Sequence, residues 1–341
     1  MAVNPYVFAG YASITSLSDI TPSQARKLTH LNLAFGEVDG GVISIDRVRP
    51  HMRYLGQIRS WNPDLNVLLS TGGGAPEQKR LYGQATKDKA GVERIVSSAL
   101  AIVREYELDG LDGDWERPLP EERAQYTDVL RGFRAGLDKY EKERGGRKCY
   151  LTIAAERLTE YFDCVEVSKL SDTLDYVFLM TYDARWGSRL TGHHCNTYSS
   201  PYEDDKTSVD WTVEMYHREG IPYEKLVVGA AFYSHRYNDV KVGCGDGYMQ
   251  PYTGGYFYGP DYTAISLIYE KSPDWIKYWD DVAKEPWLFD GRDFITYEDP
   301  QAMAYKCSYI KEKGLAGIMY WEHGCDKTGA LFDAIYDNLL L

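Results

Sequence analysis

The sequence predicts a (β/α)8 barrel with a small α+β insertion between its seventh and eighth strands. Eight short apolar runs, rich in β-branched and aromatic residues, alternate with amphipathic stretches along the 341 residues. Near-continuous apolar runs are typical of parallel strands buried on both faces. The length of the chain also suits this barrel. An open, doubly wound sheet is the structural alternative, but a count of eight strands favours the closed barrel.

The strands and helices follow from local patterns. The predicted strands occupy residues 6–11, 28–38, 66–73, 108–116, 150–156, 175–183, 225–233 and 315–322. Residues 90–108 place apolar side chains on one stripe at helical spacing. A helix over 299–314 begins with Asp299 as its N-cap, has proline next and closes on Gly314. A third helix, over 208–220, also ends on a glycine.

One connection is too long for a loop. About 80 residues separate the last two strands, and residues 236–292 are rich in Gly, Tyr and Trp. A structureless loop of that length is uncommon in a compact domain. We therefore predict an α+β insertion domain over 236–292 on the C-terminal rim, with the catalytic barrel formed by 1–235 and 293–341.

Composition excludes several classes of function. The net charge of −13 argues against a nucleic-acid or anionic-membrane partner. No apolar run has the roughly 20 residues that a membrane helix needs. The 29 Tyr and 8 Trp supply mostly core packing, but aromatic faces on an acidic surface also suit carbohydrate.

The cysteines and the N-terminus bear on the cellular compartment of the protein. Six cysteines lie far apart without a CxxC pair, which favours free thiols over disulfides or a zinc site; they are Cys149, Cys164, Cys195, Cys244, Cys307 and Cys325. The first residues, MAVNPYVFAGYAS, lack the basic and apolar segments of a signal peptide. The sequence alone is compatible with a cytoplasmic protein or with one whose signal has been removed.

The stretch LDGLDGDWERP, residues 108–118, places acids inside a predicted buried strand. Because side chains alternate along a strand, Asp112, Asp114 and Glu116 share one face, with Glu116 at the C-terminal end. Asp109 has the other parity, and we predict a structural role for it. Crowded carboxyls on a buried face cannot all ionise, so their pKa values rise and they titrate together. A protonated Glu116 at neutral pH would suit general acid catalysis.

A metal site is the alternative explanation for this acidic stretch. A calcium loop starting at Asp112 needs glycine at its sixth position and glutamate at its twelfth. The sequence has Arg117 and Arg123 there. We therefore predict no metal ligands among the site residues and no cofactor for the protein.

The motif DGLDGDWE resembles the DxxDxDxE signature of family 18 glycoside hydrolases, the chitinase family. Further segments resemble the same family along the whole chain: GYA (10–12), STGG (70–73), MTYD (180–183), TGHHCNTY (191–198), GIMYWE (317–322) and the approach to the last strand (278–326). The resemblance implies a barrel enzyme that hydrolyses chitin or chitooligosaccharides, and it implies secretion.

The resemblance also implies roles for the acids. Glu116 would protonate the glycosidic oxygen, and the 2-acetamido carbonyl of the substrate would attack the anomeric carbon, with retention of configuration. Asp114 would stabilise the resulting cation and orient the acetamido group, while Asp112 would tune Asp114. Tyr182 would hold the acetamido oxygen. The implied substrate-binding residues are Asp183, Met180, Trp321, Tyr233, Tyr11 and Ser70, of which Tyr11 and Ser70 would support the buried aspartates through hydrogen bonds.

This chain departs from the family pattern at five positions. Gly113 and Arg117 replace bulky or aromatic residues within the acidic motif. On the seventh strand, Ala231, Ser234 and His235 differ from the family's G-x-P-x-Y-G-R. His235 stands where an arginine is expected, which puts one substrate contact in doubt.

Three functions compete at this level. A chitinase would bind a polymer or oligomer of β-1,4-linked N-acetylglucosamine, and an endo-β-N-acetylglucosaminidase would act on N-glycans or related glycans. A chitin-binding lectin would lack the acid. Tyr182 and the 236–292 insertion favour the chitinase, and an intact Glu116 disfavours the lectin. The sequence does not indicate an oligomeric state.

Overall fold

A computed structural model describes residues 5–185, 187–203, 208–241 and 245–341. The strands in these ranges are β1 (Val7–Ser13), β2 (His30–Asp39), β3 (Val42–Ser44), β4 (Asn66–Gly72), β5 (Gly110–Asp114), β6 (Tyr150–Ala155), β7 (Tyr176–Leu179), β8 (Leu226–Ala231), β9 (Tyr233–Val240), β10 (Tyr252–Asp261), β11 (Ile276–Asp280), β12 (Glu285–Phe289), β13 (Phe294–Thr296) and β14 (Gly317–Trp321).

Eight of these strands close into a parallel barrel. They pair in the order β1, β14, β8, β7, β6, β5, β4 and β2, and β2 then pairs with β1. Closure leaves no free edge among the eight strands, which confirms the predicted (β/α)8 barrel and excludes the open sheet. Strand β3 adds only a short antiparallel hairpin to β2.

Helices cover the outside of the barrel. They are α1 (Pro22–Lys27), α2 (Tyr54–Trp61), α3 (Pro76–Ala85), α4 (Lys89–Glu105), α5 (Arg123–Glu143), α6 (Tyr161–Cys164), α7 (Val167–Leu170), α8 (Val209–Arg218), α10 (Pro300–Lys313) and α11 (Ala330–Leu339), whereas α9 (Tyr262–Ala264) directly follows β10. The predicted caps of α10 are confirmed, since the Asp299 side chain accepts from the Ala302 N–H and Gly314 has a left-handed φ of 69°.

Strands β5 and β7 end before the last residues predicted for them. Strand β5 ends at Asp114 rather than residue 116, and β7 ends at Leu179 rather than residue 183. Asp183 has a φ of 57°, a left-handed conformation outside the β region. The last residues of both predicted strands therefore belong to the mouth of the barrel.

A second sheet lies between β8 and β14 in the chain. Its five antiparallel strands follow the order β10, β9, β13, β12 and β11, so it runs from Tyr233 to Thr296. Tyr237, Trp287 and Phe294 form part of its own apolar cluster. We propose that this sheet, with α9, forms the insertion domain, for which the predicted limits were 236 and 292.

Asp109 has the structural role that its parity predicts. It precedes β5 at the N-terminal end of the barrel, where its buried carboxylate accepts from the Val67 N–H at 3.0 Å. Arg144 and Arg147 pair with the same carboxylate at 2.8 and 3.0 Å, and Arg59 lies 3.6 Å away. These contacts fix the start of the strand that carries the other acids.

Two further predictions concern the chain as a whole. Five of the six cysteines are free thiols, as predicted, and Cys244 lies outside the described residues. Within the part of the chain that the structure describes, no helix combines the length and apolar character needed to cross a bilayer.

Candidate active site

The acids of β5 share the face that strand alternation predicts. Exposure rises along the row, from 0% for Asp112 and 4% for Asp114 to 18% for the Glu116 side chain. Trp115 has the opposite parity and packs outward, with its ring stacked on Tyr82 at 4.6 Å. The row therefore runs from the barrel interior to its C-terminal mouth, where barrel enzymes carry their chemistry.

Asp112 is the buried base of this row. It accepts hydrogen bonds from Tyr11 Oη at 2.8 Å, Ser70 Oγ at 2.7 Å and Thr152 Oγ1 at 2.5 Å. Burial raises the pKa of Asp112, and these three donors oppose the rise. The predicted hydrogen bonds from Tyr11 and Ser70 are confirmed. Sequence reasoning missed Thr152, although a threonine inside the apolar run YLTIAA was a usable signal.

Asp114 occupies the centre of the row. Burial and the charges of Glu116 and Asp112 raise its pKa well above the ordinary value of an aspartate. Its Oδ1 has no hydrogen-bond partner among the described residues. A buried polar atom without a partner is costly, so this oxygen can gain from a donor that a ligand brings.

Glu116 ends the row beside Lys79, whose Nζ lies 3.2 Å from Glu116 Oε2. Burial raises the pKa of Glu116, Lys79 lowers it and Glu156 raises it further, with an overall upward shift. Gly74 leaves room for this carboxyl, because a Cβ there would lie only 2.7 Å from Oε1. Lys79 is on α3, and no local pattern in the sequence connects it with Glu116.

These side chains face a cleft of about 830 Å³. Most of the predicted site residues line it: Tyr11, Asp114, Glu116, Met180, Tyr182, Asp183, Tyr233 and Trp321. Asp112 and Ser70 are buried behind the surface and are not among the lining residues. We therefore assign Ser70 to the support of Asp112 rather than to contact with a substrate.

An aromatic wall forms one side of the cleft. The Trp321 ring stacks on Phe35 with centroids 5.5 Å apart and planes 17° apart, and Tyr11 lies 5.7 Å from Trp321. Flat aromatic faces provide a large apolar contact area at a small cost in conformational entropy. Phe35 was not predicted as a site residue, because it lies within β2, whose sequence is typical of ordinary core.

Polar residues after β7 line another part of the cleft. Burial, followed by the charge of Asp114, raises the pKa of Tyr182 well above its ordinary value, so its hydroxyl remains a donor. Asp183 Oδ1 accepts from Tyr233 Oη at 2.6 Å and lies 2.7 Å from His235 Nε2. His235 is fully buried. It contacts Asp183 in place of the arginine that the family pattern has at this position.

Charged residues complete the rim. Arg117 has a φ of 51° and pairs with Glu156 through two contacts, at 2.8 and 3.3 Å. Arg157 donates to the backbone carbonyl of Asp183 at 2.9 Å. All three side chains line the cleft, and sequence reasoning identified only Arg117, as a departure from the family pattern.

Possible metal ligands gather away from the acidic row. Within the described ranges, the groups of three ligand atoms close enough to hold an ion are Asp183 with His194 and His235, and His194 with Cys195 and Glu285. Neither group includes Asp112, Asp114 or Glu116.

A closed parallel barrel with a row of acids that leads to the carboxyl end of one strand is typical of a barrel enzyme. The sequence matches the pattern of glycosyl hydrolases family 18 over residues 7–326. The chain belongs to this family of glycosidases, as the acidic motif indicated.

Individual relatives agree with this placement. Chitinase A1 from Niallia circulans is 30% identical over 319 residues, which are 85% of this chain and 44% of that protein. Chitinase B from Serratia marcescens is 26% identical, over 94% of this chain and 77% of that protein. The chain thus spans less than half of the first of these relatives.

A solved structure matches over its full length. It is a glycoside hydrolase family 18 N-acetylglucosaminidase from Paenibacillus barengoltzii, 41% identical, with a TM-score of 0.91 over 98% of this chain and 100% of that chain. The solved chain therefore has counterparts of both the barrel and the second sheet.

Proposed function

We propose that this protein hydrolyses β-1,4-linked N-acetylglucosamine in chitin or chitooligosaccharides, with retention of configuration and with the substrate's acetamido group as the nucleophile. The observation that carries the proposal is the pair formed by Glu116, a carboxyl with a raised pKa at the mouth, and Asp114, a buried carboxyl with an unpartnered oxygen beside it. The family membership and the names of the relatives support the choice of substrate.

The first step would be proton transfer. Glu116 donates its proton to the glycosidic oxygen as the bond from that oxygen to the anomeric carbon breaks. The acetamido carbonyl oxygen forms a bond to the anomeric carbon from the opposite face and gives an oxazolinium ion. Water then attacks that carbon and breaks its bond to the acetamido oxygen, while Glu116, now a carboxylate, accepts a proton from the water. Two inversions give net retention.

Asp114 and Tyr182 would handle the acetamido group. The free Oδ1 of Asp114 accepts from the acetamido N–H, which increases the electron density on the attacking carbonyl and stabilises the cation that forms. The Tyr182 hydroxyl donates to the carbonyl oxygen and keeps it in position. Trp321 provides the floor for the sugar ring, held in place by Phe35 and Tyr11.

The product pattern on defined oligomers tests the substrate. We expect the protein to hydrolyse N-acetylglucosamine oligomers of two to six units, with the products separated by chromatography. NMR should show that the first-formed product is the β-anomer. An N-glycan substrate is tested in parallel. If the N-glycan were hydrolysed faster, the preferred substrate would be the N-glycan and not the chitooligosaccharide. A first-formed α-anomer would rule out retention of configuration.

Lys79 is expected to set the alkaline limit of activity. The ammonium group lowers the pKa of Glu116, so Lys79→Met should raise that pKa, and Glu116 should stay protonated to higher pH. The alkaline limb of the kcat/KM profile should then move upward by on the order of one pH unit. Lys87→Met, the same change at an exposed site outside the cleft, is the control. A limb that stays in place or moves downward contradicts this role for Lys79.

A further inference from the structure

We propose that Asp183, His194 and His235 form a binding site for a divalent transition-metal ion such as Zn²⁺ at the edge of the cleft. One ligand atom from each residue lies within 4.8 Å of the other two. Asp183 and His194 come from the segment after β7, whereas His235 comes from β9. Two separate parts of the chain thus converge on one point.

The surroundings of His194 give independent evidence for a ligand. The residue is completely buried, and neither ring nitrogen has a hydrogen-bond partner among the described residues. Buried polar atoms almost always have partners, and an ion or water often explains an exception. The His194 ring stacks on His235 with centroids 4.3 Å apart. Turning the ring so that a nitrogen meets a metal breaks no hydrogen bond to a described residue.

His235 already has the orientation of a ligand. The Tyr256 hydroxyl contacts its Nδ1, and its Nε2 faces Asp183 Oδ1 at 2.7 Å. Metal-bound histidines commonly have their second ring nitrogen held by a neighbouring polar group, which fixes the ring. Tyr256 would provide that support here.

The donor set and the spacing select the class of ion. Two imidazoles and one carboxylate favour Zn²⁺, Co²⁺, Ni²⁺ or Cu²⁺ over Mg²⁺ and Ca²⁺, which prefer oxygen ligands. Zinc bonds of about 2.0–2.2 Å at tetrahedral angles place ligand atoms roughly 3.4 Å apart, so small side-chain shifts close the site. Asp183 lines the cleft, and this leaves the fourth position to water or a sugar hydroxyl.

The neighbouring group of His194, Cys195 and Glu285 is a weaker candidate. Cys195 Sγ donates to Glu285 at 2.9 Å, and the buried Lys306 ammonium donates to the Cys195 carbonyl oxygen at 2.7 Å. The ammonium group would repel a metal ion bound there, because charges interact strongly in a buried region of low dielectric constant. None of the three residues lines the cleft.

Binding of an ion would also inhibit the enzyme, and this part rests on the proposed function. Asp183 hydrogen-bonds Tyr233 at the wall where we place the acetamido group. An ion held by Asp183 would occupy space there and draw the carboxylate away from Tyr233. EDTA would remove the ion and restore hydrolysis.

Direct metal binding tests the proposal without relying on activity. Untagged protein, first dialysed against EDTA, is titrated with Zn²⁺ by calorimetry and with Co²⁺ by visible absorption. We expect one equivalent to bind, and Co²⁺ to show the intense bands of a tetrahedral site. His235→Arg places a guanidinium beside Asp183 and removes a ligand, and His194→Phe keeps the stacked ring. Each should weaken binding at least tenfold, whereas His51→Ala, at a histidine outside the proposed site, should not.

Several results would overturn the site. They are the absence of Zn²⁺ binding and undiminished binding in His235→Arg. Loss of binding in Cys195→Ser with retention in His235→Arg would also overturn it, because the ion would then lie in the group of His194, Cys195 and Glu285. Circular dichroism establishes that each variant is folded, and His235→Arg remains decisive if His194→Phe does not fold. Tight Zn²⁺ binding by a protein that hydrolyses no glycan would refute the proposed function alone.

Discussion

Glu116→Gln is expected to lower kcat for chitooligosaccharide hydrolysis by about 10²- to 10⁴-fold, the usual contribution of a general acid. Glutamine has nearly the same shape as glutamate but has no acidic proton to give to the glycosidic oxygen. The neighbouring residues would stay in place because Trp115, the preceding residue, is fixed by its stack on Tyr82. Affinity for the oligomer should therefore remain.

The comparison uses initial rates together with binding of a chitooligosaccharide by calorimetry. Glu77→Gln makes the same chemical change at an exposed position of α3, where Glu77 pairs with Arg80, and should leave the rate unchanged. A Glu116→Gln protein that keeps more than a few per cent of the wild-type rate would show that another group is the acid. Loss of binding together with activity would indicate a damaged cleft instead.

Removing the N-acetyl group from the reacting sugar should have an effect of similar or larger size. In the proposed reaction that group is the nucleophile, and a well-placed intramolecular nucleophile has an effective concentration of about 10⁵–10⁸ M. Cellooligosaccharides, which have a hydroxyl in its place, would leave Asp114 Oδ1 and Tyr182 without their partner. We expect no turnover of them above background.

The measurement is kcat/KM for matched chitotetraose and cellotetraose, with inhibition of the first by the second as a check that the cellooligosaccharide enters the cleft. Chitotetraose with a free amine at the reacting sugar is a closer analogue and should fail in the same way. Efficient hydrolysis of either analogue would be incompatible with a substrate nucleophile. It would require a nucleophile from the protein.

The sequence was sufficient to predict the barrel and the acidic row, since both depend on short-range periodicity. The alternation that buries Trp115 also turns Asp112, Asp114 and Glu116 inward, and no knowledge of the remaining chain is needed for that step. The caps of α10 are similarly local. Family resemblance then supplied residues from other strands, such as Tyr11 and Trp321.

The missed residues depend on contacts that are distant in the chain. Lys79 approaches Glu116 from α3, and Thr152 reaches Asp112 from β6 across 40 positions. His235 was recognised only as a departure, and its pairing with Asp183 depends on how the second sheet sits at the mouth. Such contacts follow from the three-dimensional arrangement of strands, which local patterns do not specify.

Asp109 and its arginine partners hold the start of β5 by ion pairs, whereas Asp112 is held within the strand by hydrogen bonds. The two positions should therefore respond differently to salt. Salt weakens charge pairs that reach solvent, so ionic strength acts first at the base of the barrel, where Arg147 is half exposed. The hydroxyl groups around Asp112 are shielded from ions. Rising salt should therefore weaken the ion pairs of Asp109 before it disturbs the buried hydrogen bonds of Asp112. The anchoring of β5 and the hydrogen bonding of its buried acid could thus be altered separately, at two positions only three residues apart.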